Sequence, residues 1–417
     1  MATAEQEPGA EVLASARNLD TSQTPEQAVE STDADDVDAE ALDLAPFSYE
    51  NWHAQIAGSS AHVWYETPLF TDAHIIGAVE EGLGPYQLLN AVPRETMRHT
   101  RPTIVLRVRE YERPQIDLLQ LKRTNDDRYH GGELADELAA LVSLHLGIRL
   151  KAGAMTRVCW GGGADPLGRP AAWLDEADPL LPHIHRSPIV PRALDQHSLD
   201  DLELLPHFFV VAPARAVALV RAARLYQEGL WIAESAPELS WLMFVAAVET
   251  AAFSWRAGKE SPVERLRAER RDVVKKLETA GGPALAEWVA RRIAPFIGST
   301  KKFVDFLLEH LPDAPQPRPP EFFAHPWTRN ALERSLEIIY DRRSRALHGG
   351  KPFPPPMCAA PGHHGDAGEG WDETYGAPAM ATRGSAWLKE DTPMLLSTFE
   401  YIARHALLTW WRSLPTE

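Results

Sequence analysis

Two charged side chains fall on stripes where the helical pattern expects apolar ones. In the segment 327–350, Arg343 follows Leu332 by eleven positions, which places it only about 20° away at 100° per residue. In the segment 238–255, Glu249 follows Leu242 by seven positions and lies equally close to that helix's apolar face. The apolar stripes comprise Leu332, Leu336, Ile339, Tyr340 and Leu347 on one helix, and Leu242, Val245, Val248 and Ala252 on the other.

An ionised guanidinium on an apolar stripe costs several kcal/mol unless it is paired. The spacing therefore predicts that Glu249 and Arg343 pair across a helix interface. Such a pair could equally do no more than fix the register of two helices, and by itself it indicates no chemistry.

A histidine near the end of the same helix adds a group that can exchange protons near neutral pH. His348 follows Arg343 by five positions, about 140° round an ideal helix. Gly349 and Gly350 form a strong stop signal, so we expect a frayed last turn. His348 would then project beside Arg343 or towards a second protomer.

The elements that must position these residues belong to an all-α part, predicted over 214–417. The candidate helices are Ala214–Ala233, Glu238–Trp255, Pro262–Ala280, Ala284–Leu311, Trp327–Leu347 and Ser385–Leu414. The Pro- and Gly-rich segments Pro312–Pro326 and Lys351–Arg383 are predicted to be surface loops.

An α+β domain is predicted before it, over 46–213. Branched residues with partial alternation predict strands at 103–109 and 116–122, with weaker candidates at 62–65 and 75–79. Residues 133–146 repeat apolar side chains every three or four positions and predict a helix. The stretch Gly161–His207 is rich in Gly, Pro and His and is expected to be mostly loop.

The net charge of −17 is spread unevenly along the 417 residues. Residues 1–45 carry twelve acidic groups against one arginine, and we expect a disordered acidic tail there. The tail could merely solvate the protein, or it could compete with RNA for basic surfaces. The one strongly basic stretch is 256–302, with twelve basic and six acidic side chains.

Composition also bounds the class of protein. Two cysteines, Cys159 and Cys358, are too few for a disulfide scaffold, which favours a reducing cytoplasm. No signal peptide and no membrane span are expected. Two histidine-containing groups, around His183–His185 and Cys358–Asp366, do not match a four-ligand zinc spacing, so no metal and no cofactor are expected. Gly161–Gly163 lacks the rest of a nucleotide-binding motif, and no Gly-x-Ser-x-Gly is present.

The segment Tyr340-Asp-Arg-Arg343-Ser344-Arg-Ala-Leu-His348-Gly349 resembles the signature of HEPN-domain ribonucleases. That signature is an arginine, a small polar residue, three or four further positions and a histidine, often with a preceding tyrosine. The earlier helix with an inward acid at Glu249 fits the same pattern. With an α/β domain in front, the chain is similar to the ApeA-like branch, some of whose members act in bacterial anti-phage defence. The resemblance covers roughly 214–414, but not the insertion 351–383 or the basic segment 262–302.

The resemblance implies metal-independent cleavage of RNA by attack of the ribose 2′-OH on the adjacent phosphate. His348 would exchange the proton, Arg343 would bind the phosphate, Glu249 would orient Arg343, and Ser344 would contact the phosphate or cap the structure. It also implies a homodimer whose two Arg/His sets line one cleft. The alternative is a catalytically silent HEPN module that binds RNA or a partner protein.

Overall fold

The computed structural model describes residues 45–91, 101–112, 124–160, 168–171, 178–180, 187–256, 261–293, 298–364 and 370–416. The described residues all belong to one unit, Asp43–Glu417. The predicted acidic tail, apart from Ala45, and the strand predicted at 116–122 lie outside the described residues.

An antiparallel sheet organises the N-terminal part. Its strands are β1 (Ala61–Thr71), β3 (Tyr86–Asn90), β4 (Arg101–Tyr111), β5 (Lys151–Ala152), β6 (Arg157–Trp160) and β7 (Arg169–Pro170). Their order is β3-β4-β1-β6-β7, with β5 also paired to β1. A separate parallel pair joins β2 (His74–Ile76) to β8 (Gln196–Ser198). Branched side chains alternate along β4, so Ile104, Leu106 and Val108 are buried on one face.

Two helices accompany this sheet, α1 (Phe47–Ile56) and α2 (Leu134–Leu146). A capping box between Glu133 and Asp136 starts α2, and Gly147 ends it at a φ of 74°, a conformation that glycine adopts without strain. These elements confirm the predicted mixture of strands and helices. The short helix α3 (Leu205–Phe208) and two 3₁₀ turns interrupt the stretch expected to be loop.

The C-terminal part is mostly helical, as predicted. Its helices are α4 (Pro213–Ile232), α5 (Pro237–Arg256), α6 (Pro262–Glu269), α7 (Arg271–Ile293), α8 (Ser299–Glu309), α9 (Arg329–Gly349) and α10 (Leu396–Arg412).

Two predicted helices, at 262–280 and 284–311, are wrong because each is interrupted in the structure. The helix predicted at 284–311 is divided, because Gly298 adopts a φ of 70° and α8 begins immediately after it. The helix predicted at 262–280 is interrupted at Arg270, whose backbone is non-helical and where α6 ends. The non-helical Gly281 and Gly282 of α7 fall at the break predicted between 280 and 284. Gly282 and Gly298 both have positive φ, through which a helix cannot continue.

The helix predicted from Ser385 was also wrong at its start. Residues Ala379–Thr382 (β9) and Ser385–Leu388 (β10) form a hairpin, and the helix begins only at Leu396. Arg383 and Gly384 both have positive φ, which is the conformation of a two-residue hairpin turn. The turn therefore selects two short strands where the pattern alone favoured a helix.

The loop predicted at 351–383 lies only partly on the surface. Phe353 and Met357 are completely buried, and the Phe353 ring stacks on Trp241 of α5 with centroids 5.0 Å apart. This loop therefore contributes to the core.

One cluster of buried apolar side chains continues from the sheet through α2 into α4, α5, α8, α9 and α10. It crosses the domain boundary predicted at 213/214, where α4 begins. Helices α6 and α7 bury a small cluster of their own around Leu266 and Ala290. None of the helices in the described ranges is long and apolar enough to cross a membrane.

Candidate functional site at the α5–α9 interface

The Glu249 carboxylate binds two side chains of α9. Its Oε2 accepts a hydrogen bond of 2.7 Å from Nη2 of Arg343, and its Oε1 accepts one of 2.7 Å from the Tyr340 hydroxyl. The pairing predicted from the two apolar stripes is therefore confirmed. The Arg343 and Glu249 side chains are 24% and 21% exposed, so the pair lies at the edge of the core.

Tyr340 is held more deeply than the two charged groups. Burial, followed by its hydrogen bond to Glu249, raises the pKa of Tyr340 to about 12. Its ring packs 5.2 Å from that of Phe303, and the Arg343 guanidinium lies 5.5 Å from its centroid. Tyr340 therefore stays a protonated donor at neutral pH and fixes the carboxylate from one side.

Arg343 keeps donors available. Within the described chain, no partner is found for its guanidinium nitrogens other than Nη2. Arg345, two positions later, instead pairs with Asp341 on the exposed side of α9, at 2.8 Å. Arg343 is thus oriented by Glu249 while part of its fork remains open to an anion.

The course of α9 decides where His348 lies. The Thr328 hydroxyl caps the start of the helix, and Gly350, at a φ of 63°, ends it. The helix is regular through Gly349, so the frayed last turn that we expected was wrong. His348 therefore lies about 140° round from Arg343. It is exposed and has no hydrogen-bond partner among the described residues.

Two neighbours complete this end of α9. Ser344 is half-buried, and no described residue bonds its hydroxyl. Leu347 was expected on the apolar stripe but is 52% exposed. The structure thus brings together Glu249 and Arg343 but not His348, and it leaves an apolar side chain uncovered beside the histidine.

A cleft of about 430 Å³ opens on the other side of Glu249. Arg221 of α4 and Lys302 and Ser299 of α8 contribute polar side chains to it, and Phe253, 58% exposed, contributes an apolar one. Lys302 lies 5.8 Å from the centre of the Phe253 ring. The carboxylate that orients Arg343 therefore also borders a cleft with two cationic side chains.

The basic stretch 256–302 is partly neutralised by ion pairs. Arg267 pairs with Glu278 at 2.7 Å, Arg291 with Glu287 at 3.4 Å, and Arg256 with Asp305. The first two pairs are largely exposed and each contributes little stability.

The histidine groups considered for zinc are only partly described. His183, His185 and Asp366 lie outside the described residues. His364 pairs with Asp372 at 2.5 Å, and the His363 ring packs on Trp371. Within the described ranges, no three His, Cys, Asp or Glu side chains are grouped as metal ligands. The segment Gly161–Gly163 is likewise outside them.

Two contributors to the site were missed from the sequence. The hydrogen bond from Tyr340 to Glu249 could have been expected, because Tyr340 precedes Arg343 by three positions and shares its face. Ser299, whose side chain hydrogen-bonds the same tyrosine, gave no signal because it fell inside a helix predicted to be continuous.

Comparison of the chain with protein-family models, with curated proteins and with solved structures finds no match.

Proposed function

We propose that this protein is a metal-independent endoribonuclease of the HEPN type, with its active site at the α5–α9 interface. The observation that carries the proposal is the Glu249–Arg343 pair, which holds a guanidinium in place while leaving donors unpartnered in the described chain. It is joined by the R-S-x-x-x-H-G sequence of α9.

Each residue has a role in the proposed reaction. The ribose 2′-oxygen attacks the adjacent phosphorus, and the 5′-oxygen leaves, giving a 2′,3′-cyclic phosphate and a 5′-hydroxyl. Arg343 stabilises the charge that develops on the phosphate. His348 accepts the proton of the 2′-hydroxyl and, once protonated, donates it to the leaving 5′-oxygen. Glu249 and Tyr340 position Arg343, and Ser344 is available to the phosphate.

A homodimer would place the proton-transferring His348 next to the phosphate-binding Arg343. Because His348 and Arg343 leave α9 in different directions, we infer that His348 of one chain acts beside Arg343 of the other. The exposed Leu347 next to His348 supports an interface at this end of α9. Glu249 would offset the repulsion between two arginines brought close together.

RNA would be held by cations around this site. Arg221 in the cleft beside Glu249, together with the exposed basic side chains in the described part of 256–302, would contact phosphates without reading sequence. We infer that the reaction takes place in the cytoplasm, since two cysteines are too few for a disulfide scaffold, and that the protein serves anti-phage defence or a stress response.

Cleavage of RNA in the presence of EDTA tests the proposal. We expect wild-type protein to produce cyclic-phosphate and 5′-hydroxyl ends, and Arg343→Ala and His348→Ala to lose this activity. Arg334→Ala, an exposed arginine nearer the start of the same helix, and His62→Ala, an exposed histidine of β1, are matched controls that should keep it. Cleavage that needs magnesium would refute the mechanism.

A second candidate function is a catalytically silent HEPN module that binds RNA or a partner protein. The exposure of His348, far round the helix from Arg343, favours it if the chain remains a monomer. RNA binding that is lost in Arg343→Ala, is unchanged in His348→Ala and comes without cleavage would establish this alternative.

A further inference from the structure

The solvent face of the N-terminal sheet carries a cavity of about 690 Å³. Strands β1, β3, β4 and β6 form its floor. Gln55 at the end of α1 and the turn Gly84–Pro85 form one wall. This volume is typical of a small-molecule site. The cavity is built from elements other than α5 and α9.

Strand register aligns polar side chains across the cavity floor. Glu66 of β1 lies between Arg107 of β4 and Arg157 of β6, and Gln87 of β3 pairs with Arg107 on the far side. In the next row, Arg109 of β4 lies opposite Trp64 of β1. Since alternate residues of a strand share a face, all these side chains point away from the buried core.

The arginines of the cavity floor differ in their hydrogen-bond and ion-pair partners. Arg107 donates to Glu66 at 2.6 and 3.0 Å and to Gln87 at 3.2 Å. Nε of Arg157 lies 3.6 Å from the same carboxylate. The guanidinium of Arg109 has no partner among the described residues. Among the described residues that line the floor, Glu66 supplies one carboxylate against Arg107 and Arg109, so these two rows keep an excess of positive charge.

An aromatic ring adjoins these cations. Trp64 is half-buried and lines the cavity, and the guanidinium of Arg107 lies 5.7 Å from its centroid. The wall is closely packed, because Gly84 has a φ of 56° and a Cβ there would lie 2.6 Å from the Trp52 ring. A cavity with excess arginine and an indole at its base suits a ligand that carries both phosphate and a planar ring.

We propose that this cavity is a binding site for a nucleoside polyphosphate. Arg109 and Arg107 bind the phosphates, and Trp64 and Gln87 contact the base. Free phosphate would use only the cationic part of the site, whereas a nucleotide fills both parts of it.

Titration calorimetry with ATP, adenosine and pyrophosphate tests the proposal on the full chain. We expect saturable ATP binding at concentrations below about 1 mM, weaker binding of pyrophosphate and none of adenosine. Arg109→Ala should weaken ATP binding about tenfold, which is the loss of one charge-assisted hydrogen bond. Arg412→Ala is the matched control, an exposed arginine of α10 outside the cavity, and should change binding less than twofold.

The Trp64→Leu variant separates the two parts of the site. It should reduce the preference for ATP over pyrophosphate, and its melting temperature shows whether the sheet remains folded. The proposal is overturned if ATP does not bind, if pyrophosphate binds as tightly as ATP, or if Arg109→Ala and Arg412→Ala behave alike. Tighter binding of single-stranded RNA than of ATP, lost in Arg109→Ala, would make the face an RNA platform and also overturn it.

Discussion

Replacing Glu249 with glutamine keeps the size of the side chain and removes only its charge. The amide oxygen can still accept from Arg343, and the amide nitrogen can donate to the Tyr340 hydroxyl. A hydrogen bond to a charged partner contributes about 1.5–3 kcal/mol when buried, and an exposed ion pair contributes about 0–1 kcal/mol. Since both side chains are roughly a quarter exposed, we expect Glu249→Gln to lower the free energy of unfolding by about 1–2 kcal/mol.

Calorimetric melting measures this effect. With an unfolding entropy of about 2.1 cal/mol/K per residue, a unit of this size should melt about 1–3 °C lower. Asp341→Asn is the matched control, because it removes the carboxylate partner of Arg345 on the exposed side of the same helix. It should change the unfolding free energy by less than about 0.5 kcal/mol.

A double-mutant cycle that combines Glu249→Gln with Tyr340→Phe measures the energetic coupling between these two side chains. Tyr340→Phe alone should lower the unfolding free energy by about 1 kcal/mol, the usual contribution of one hydrogen bond. Because both mutations act on one carboxylate, their effects should differ from additivity by at least about 0.5 kcal/mol. Glu249→Gln should also reduce RNA cleavage about tenfold, because a neutral amide holds Arg343 less firmly than a carboxylate does. Melting identical to that of Asp341→Asn, with strict additivity, would show that these side chains do not meet in solution.

Three further outcomes are expected. Mixing inactive Arg343→Ala and His348→Ala chains should restore part of the RNA cleavage, whereas a monomer by light scattering with full activity would exclude a shared site. Burial lowers the pKa of His325 to about 4, so its neutral form stabilises the fold above the unfolded value of 6.5. As the pH falls from 6.5 to 4, His325 should contribute a loss of roughly 3 kcal/mol to the unfolding free energy. Urea titrations of His325→Gln should lack this part of the pH dependence, while His145 and His405, whose pKa values burial also lowers to about 4, keep theirs. The buried Tyr226 hydroxyl donates to Glu400 at 2.5 Å. Tyr226→Phe should therefore lower the unfolding free energy by about 1–3 kcal/mol. Tyr129→Phe, at an exposed tyrosine, is the control and should leave the melting temperature unchanged.

The Glu249–Arg343 pair could be predicted because it depends only on periodicity within two helices. Each charge falls on an apolar stripe, and the cost of an unpaired charge leaves few alternatives. The position of His348 could not be predicted in the same way. It depends on whether the helix ends before or after the glycines, and Gly349 is helical whereas Gly350 is not.

The polar row on the sheet was invisible in the sequence for another reason. Glu66, Arg107 and Arg157 are about 40 to 90 residues apart, and only strand register brings them together. The hairpin at 379–388 was missed because its turn, Arg383-Gly384, lacks the usual Asn-Gly pair. Patterns among neighbouring residues thus predicted helices and the charges on their buried faces. They could not predict which distant strands pair.

The position of α10 bears on how the protein is made. Arg404 donates from Nε to the Leu144 carbonyl at the end of α2, 260 residues earlier, and Trp410 and Trp411 are buried in the common core. Before α10 has been synthesised, apolar surfaces of α2 and α5 are exposed in the nascent chain. Closing such long loops is slow, so we expect the core to be completed only after α10 has left the ribosome. Until then α5, which carries Glu249, would lack one of the helices that pack against it.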